Sequence, residues 1–282
     1  MVGESRSLQL VSHAILIAGV VIVLGPVWIA FVASTIDPTE ILSRTVPLLP
    51  GSRLVENYAE TLGAGLARSG VPPMWLLLAN SFVMAMVIAC GKIAISLLSA
   101  YAVVFFRFPG RTLAFWLIFI TLMLPVEVRI LPTYEVVASL GMVNTYAGLT
   151  VPLMASATAT FLFRQFFLTI SKDLADAARL DGAGPLQFLW YVVIPLARTS
   201  MAALFVILFV YGWNQYLWPL LITTDQNYYT IVMGIQRMIQ DVEATPAWHI
   251  IMATTILALL PPALVVMLMR RAFVRGLVDA EK

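Results

Sequence analysis

The chain has 282 residues, 61% of them hydrophobic and only 11% charged, against about 25% charged in ordinary soluble domains. A water-soluble globular domain is excluded on that balance, because the apolar residues come in long blocks and the solvent for most of the chain must be lipid. A net charge of +2 and a single cysteine, Cys90, exclude an internal disulfide and a cysteine-based metal cluster.

Six apolar stretches are long enough to cross about 30 Å of hydrocarbon as helices. In chain order they are His13–Ser34, Asn80–Phe106, Thr112–Pro132, Tyr146–Phe167, Ser200–Ile222 and Trp248–Met269. The first is too long for the apolar core of a signal peptide and lacks a small-x-small cleavage site, so it reads as a retained anchor. The third and fourth have ends interrupted by prolines and charges. The organisation expected is an anchor helix and outer loop over residues 1–74, a membrane core over 75–270 and a tail over 271–282. Cys90 reads as a small buried apolar residue. His13 and His249 read as interfacial, and they share no ligand spacing, so no metal site is expected.

Basic residues set the orientation, since cytoplasmic segments collect them. With both termini inside, the inner segments hold Arg6, Arg107, Arg111, Arg164, Lys172, Arg179, Arg198, Arg270, Arg271, Arg275 and Lys282. The outer segments hold Arg44, Arg53, Arg68, Arg129 and Arg237. With Lys92, inside a span, these complete the 17 basic residues. The outer loops are the longer ones, so length does not produce the bias.

No constellation of nucleophile, acid and metal ligands appears, so no catalytic residue is expected. The only Gly-Lys pair, Gly91-Lys92, has Met86 where a phosphate-binding loop needs glycine. Basic residues form no stripe, which argues against a nucleic-acid partner. Secondary carriers often carry two repeated halves with helices broken at matching positions, and none is visible. The outer loop near Thr35–Pro73 is rich in proline, glycine and mixed charge, and suits contact with a soluble partner.

The inner loop near Leu168–Thr199 is the longest cytoplasmic segment. It reads as two short helices about a glycine turn. Ser171 is the expected N-cap, Gly182 the left-handed closing residue and Pro185 the first residue of the second helix, with Pro195 ending that segment. Its core runs Asp176-Ala177-Ala178-Arg179-Leu180-Asp181-Gly182-Ala183, followed by Ile194-Pro195-Leu196. This resembles the coupling loop of ABC importer permeases, whose pattern is E-A-A, three residues, G and a later hydrophobic-Pro pair. The plain alternative is an ordinary cytoplasmic helical hairpin. The chain departs from the pattern in carrying Asp176 for Glu and Ser171 where many relatives have Pro.

The likeness extends through Asn80-Ser81-Phe82, Ser99–Ala102, Arg107–Arg111, Leu140–Tyr146 and Trp213-Asn214 with Trp218-Pro219-Leu220, which resemble the second permease subunit of maltose-type carbohydrate importers. The runs Ile120–Ile130, Leu153–Phe167, Tyr211–Pro219 and Arg271–Asp279 resemble permeases of the glycerol-3-phosphate importers, a likeness over nearly the whole chain. The resemblance implies an all-α integral membrane fold with six transmembrane helices, the type-I ABC importer permease. It implies a second permease subunit, two ATP-binding subunits that use ATP, a periplasmic solute-binding protein, and no cofactor on this chain. It also implies coupling to the ATPase through Asp176, Ala177, Ala178, Asp181, Gly182 and Pro195, and sn-glycerol-3-phosphate as substrate, with a neutral sugar or other polyol as the alternative.

Four residues are candidates for the path. Lys92 lies near the middle of a span, where a charge costs several kcal/mol unless it faces protein or water. It either lines the path or pairs with a carboxylate such as Glu127. Glu127 and Arg129 lie between Pro125 and Pro132, prolines tolerated in a membrane only beside a cavity or other protein. They serve an anion path or form an interfacial ion pair. Asn214 is a polar amide among Tyr211, Trp213, Tyr216 and Trp218. Those rings suit a polyol, though Tyr216 and Trp218 also fit an interfacial aromatic belt.

Overall fold

The computed structural model describes residues 6–37, 47–63, 70–121, 124, 126–240 and 246–279, and the side chains of 6–8, 126–127 and 271–279 lie outside the description. Glu127 is therefore known by its backbone alone. Arg44, Arg68 and Lys282, used above to orient the chain, and the side chains of Arg6, Arg271 and Arg275 also lie outside.

The described residues are helical throughout. The helices are α1 (Arg6–Ala33), α2 (Leu54–Leu62), α3 (Met74–Phe105), α4 (Arg111–Ile120), α5 (Val126–Ser139), α6 (Tyr146–Thr150), α7 (Ala157–Thr169), α8 (Lys172–Leu180), α9 (Pro185–Phe188), α10 (Ile194–Trp213), α11 (Leu217–Ile222), α12 (Ile231–Gln240) and α13 (Trp248–Asp279). Four helical stretches are long and apolar enough to cross a membrane: Gln9–Ala33, Met74–Phe105, Pro185–Trp213 and Trp248–Arg270. A fifth candidate is the pair Tyr146–Leu153 and Ala157–Thr169, which is apolar enough together but bent by 47° at its break.

The third expected span takes a different form. Its helix α4 has 10 residues, only about 15 Å at 1.5 Å per residue. The chain then passes through residues outside the description before α5, which contains Pro132. The fifth expected span is also shifted. It was expected to run from Ser200 to Ile222, but its helix starts at Pro185 and stops at Trp213, and α11 follows after an interruption at Asn214–Tyr216.

The chain forms two compact units, Met1–Leu76 with Gly234–Leu260 and Leu77–Met233 with Pro261–Lys282. In the first, the segment after α1 folds back into a small polar core. Asn57 Nδ2 donates to the carbonyls of Ser34 (2.9 Å) and Ile36 (3.0 Å). The Gly51 amide donates to Thr35 Oγ1, and Arg53 pairs with Asp37 at 2.9 Å. His249 is buried, 3.9 Å from Glu60.

In the second unit, α3 and α10 approach closely at Gly212, where an added Cβ would lie 2.9 Å from Ala85 Cα. Two asparagines fix the loops beside the cavity described below. Asn80 Nδ2 donates to the carbonyls of Asn227 and Tyr229, and its Oδ1 accepts from Tyr146. Asn144 adopts a left-handed backbone (φ 55), which asparagine tolerates. Its Oδ1 accepts from the amides of Thr224 and Asp225. Asn80 is fully buried, and such a polar group, if orphaned, would cost about 1–3 kcal/mol. These bonds therefore fix loops that hydropathy alone leaves loose.

Candidate translocation cavity and coupling surface

The candidate coupling surface is built by local chemistry. Ser171 caps α8 by accepting from the Asp173 amide at 3.2 Å. At the far end, the Ala183 amide donates to Ala178 O and the Gly182 amide to Arg179 O, the Schellman closure. It requires Gly182 at φ +76. An added Cβ there would meet nothing within 4 Å, so backbone conformation, not space, demands glycine. Pro185 opens α9, and the Gly184 amide donates to Gln187 Oε1 at 2.8 Å. Three of the four expected devices, at Ser171, Gly182 and Pro185, are therefore present.

Two aromatic anchors hold this hairpin to the membrane core. Tyr101 of α3 donates to Pro185 O at 2.7 Å. Phe188 is buried against Tyr101 and Phe105. A cavity of about 340 Å³ lies between, lined by Tyr101, Phe105, Arg107, Ala178, Arg179 and Phe188. The two alanines consequently face different ways: Ala178 turns to this cavity and Ala177 is exposed. Asp176, Asp181 and Pro195 are exposed too, as is Leu180, at 90%. Asp176 pairs with Arg179 at 3.0 Å, a solvent-exposed contact of small stabilising value.

Pro195 does not end the second helix. It follows a π turn, Leu189–Val193, in which the Ile194 amide reaches back to Leu189 O. A proline inside a helix lacks the amide and pushes on the carbonyl four residues earlier. Widening the preceding turn accommodates the ring and lets the helix run on through α10.

The second site lies deeper. A cavity of about 380 Å³ is lined by Lys92, Arg129, Thr133, Tyr211, Asn214 and Gln215, among others. Lys92 is 7% exposed, with Nζ 3.8 Å from the centre of the Tyr211 ring. Such a cation–π contact offsets part of the cost of burying the ammonium. The break between α10 and α11 forms one wall, and Gln215 Nε2 donates to Tyr211 O. Irregular backbone at membrane depth is tolerated where it lines a cavity, which accounts for the interruption at Asn214. Among the described residues lining this cavity there is no carboxylate.

The structure thus brings together Lys92, Arg129 and Asn214, three of the four path candidates. The fourth, Glu127, has its side chain outside the description. Trp218 is buried. It donates to Gly148 O at 3.0 Å and packs with Met84, Ile88, Val137, Leu149 and Ile222. Cys90 is exposed rather than buried. Sequence reasoning missed Thr133 and Gln215 in the cavity and Tyr101 as the anchor of the hairpin. Among the described residues, no group of three or more His, Cys, Asp or Glu could hold a metal.

Comparison with known proteins adds three findings. Residues 69–279 match the family described as "Binding-protein-dependent transport system inner membrane component". The chain is 57% identical over 282 residues to the "sn-glycerol-3-phosphate transport system permease protein UgpE" of Brucella melitensis, covering 100% of both chains. It is 55% identical, again over 100% of both, to the protein of that name from Salmonella typhi. Among solved structures, a bacterial ABC transporter involved in the import of the acidic polysaccharide alginate has a matching chain. The TM-score is 0.84, with 22% identity, over 97% of this chain and 100% of that one.

Proposed function

The chain belongs to the family of inner membrane components of binding-protein-dependent transport systems, and on that premise we propose that it is the permease subunit through which sn-glycerol-3-phosphate enters the cell. It is a multi-pass subunit of an ABC importer and not an enzyme. Relatives named for that substrate, 55–57% identical over 99% or more of both chains, support the assignment.

The observation that carries it is the cavity holding Lys92 and Arg129 with no described carboxylate. A phosphate monoester carries close to two negative charges at neutral pH, and burying them requires compensating charge. The glycerol end needs hydrogen-bonding edges and flat apolar faces, which Asn214, Gln215 and Tyr211 offer. A second permease of similar kind completes the pathway. Two ATP-binding subunits hydrolyse ATP, and a periplasmic binding protein delivers the solute. No cofactor sits on this chain, and both termini lie in the cytoplasm.

Closure of the ATPases moves the α8–α9 hairpin. The Tyr101–Pro185 bond passes that movement to α3, which carries Lys92 nine residues away, about 14 Å along an unbroken helix. Cysteine at Ala177 is expected to cross-link readily to the ATP-binding subunit in intact complexes, and cysteine at Ala178, which turns inward, far less. Equal cross-linking from both would contradict the packing of α8. No cross-linking from either would remove the hairpin from the coupling surface and, with it, the cytoplasmic placement of this loop.

The substrate is tested by complementation. Cells lacking their own permease of this class, given this chain with its partner subunits, should take up labelled sn-glycerol-3-phosphate. They should not take up maltose or free glycerol. Uptake of a neutral sugar, without the phosphate ester, would overturn the assignment.

A further inference from the structure

A third cavity, of about 350 Å³, lies beside the α4–α7 packing and shares no lining residue with either site above. Its lining includes Arg111, Thr112, Phe115, Trp116, Arg164 and Leu168. Arg164 lies with its guanidinium carbon 4.1 Å from the centre of the Phe115 ring. The ring covers one face of the guanidinium. Arg164 Nε is buried with no hydrogen-bond partner. Among the described residues neither Arg164 nor Arg111 forms an ion pair, and no carboxylate lines the cavity. A guanidinium has five donors and no acceptor, so the cavity holds two arginines, and at least the Arg164 Nε donor is unsatisfied.

The surroundings state what kind of anion fits. Of the lining residues, Trp116 and Leu168 are exposed at 51 and 53%, and Leu113 and Leu117, on the same helix α4 as Trp116, are exposed at 64 and 58%, so the exposed surface beside the cavity is largely apolar. α4 starts six residues after α3 ends. The cavity therefore lies where a membrane segment enters the bilayer, beside a tryptophan suited to that interface. A small soluble anion would gain nothing from that apolar surface. A ligand with a phosphate at one end and hydrocarbon at the other would use both.

We propose that this cavity binds the phosphate of an anionic phospholipid in the cytoplasmic leaflet. Arg164 and Arg111 hold the phosphate, and the acyl chains lie along Leu113, Trp116 and Leu117. Arginine suits the role because its planar fork engages two phosphate oxygens at once. Basic pockets between membrane helices on that side recognise anionic headgroups. The proposal rests on the chain's place in the membrane and not on its transported substrate. A test by lipid binding therefore stands or fails apart from that reading.

The test uses the assembled importer in nanodiscs of phosphatidylcholine containing a minor fraction of brominated lipid, which quenches nearby tryptophan. Trp116 quenching is isolated as the difference between the unaltered chain and Trp116→Phe. Brominated phosphatidylglycerol should quench Trp116 at about fivefold lower mole fraction than brominated phosphatidylcholine for each arginine engaged. Arg111→Gln, at an exposed position that leaves the Phe115 stack intact, should remove about one such factor. Arg164→Gln should remove the other. Millimolar inorganic phosphate should leave the quenching unchanged. Equal quenching by the two lipids, or a preference untouched by Arg111→Gln, would overturn the proposal. Displacement by inorganic phosphate would also overturn it, by assigning the cavity to a free anion.

Discussion

Replacing Lys92 with Met is expected to lower uptake of sn-glycerol-3-phosphate by about 10- to 100-fold while the importer still assembles. The range follows from one charge-assisted hydrogen bond to a phosphate, about 1.5–3 kcal/mol, at about 1.4 kcal/mol per factor of ten. Methionine keeps the stem length and packs against Tyr211 without strain. Lys92 faces an aromatic ring and a cavity, so removing its charge uncovers no partner among the described residues. A Lys92–Glu127 pair predicts otherwise, because loss of the lysine would strand a carboxylate and reduce the amount of assembled importer. The double change Lys92→Met with Glu127→Gln separates the two. Recovery of abundance and uptake together would establish the pair and remove Lys92 from the path. Normal abundance with lost uptake, measured by immunoblot and labelled substrate, is the expected outcome.

Gly182→Val is expected to abolish transport without removing the protein from the membrane. A β-branched residue held at positive φ is strained by about 1–3 kcal/mol, and the turn can relax only by opening the Schellman closure that points the hairpin. Stimulation of ATP hydrolysis by the loaded binding protein should be lost with transport. Asparagine tolerates the left-handed region, and an added Cβ at this site meets nothing within 4 Å. Gly182→Asn should therefore keep a substantial part of the activity. Equal loss from both changes would show that the side chain, and not the backbone, is at fault. Full transport by Gly182→Val would take the turn out of the mechanism.

The turns of the candidate coupling hairpin were legible in the sequence because they are made locally. Ser171, Gly182 and Pro185 act on residues within a few positions of themselves, and such signals survive in one sequence. The membrane cavity was half legible. A lysine inside an apolar run is conspicuous, and so is an amide among aromatic rings, so Lys92 and Asn214 could be named. That Lys92 faces Tyr211, 119 positions along, leaves no local trace. The same holds for the 84-residue separation of Tyr101 from Pro185 and the 147-residue separation of Asn80 from Asn227.

Burial was misread at Cys90 for a physical reason. In lipid, a side chain facing outward is as apolar as one packed inside. Hydropathy therefore does not say which way a residue on a span faces. The third span was overextended for a related reason. Apolarity continues across residues 112–132, but α4 has ended by Ile120, and the sum of hydropathies does not register where helical hydrogen bonding stops.

The π turn ahead of Pro195 also sets a phase. Each residue advances an α-helix by about 100°, and a π turn takes in one residue more than an α turn. The angular offset between the hairpin and the face that α10 presents to the cavity at Tyr211 thus depends on one additional residue, some twenty positions away. Losing a single residue among Leu189–Val193 would let an ordinary α turn form. It would also swing α10 by roughly a quarter turn about its axis relative to α9. At these five positions, chain length itself sets which face α10 turns to the cavity.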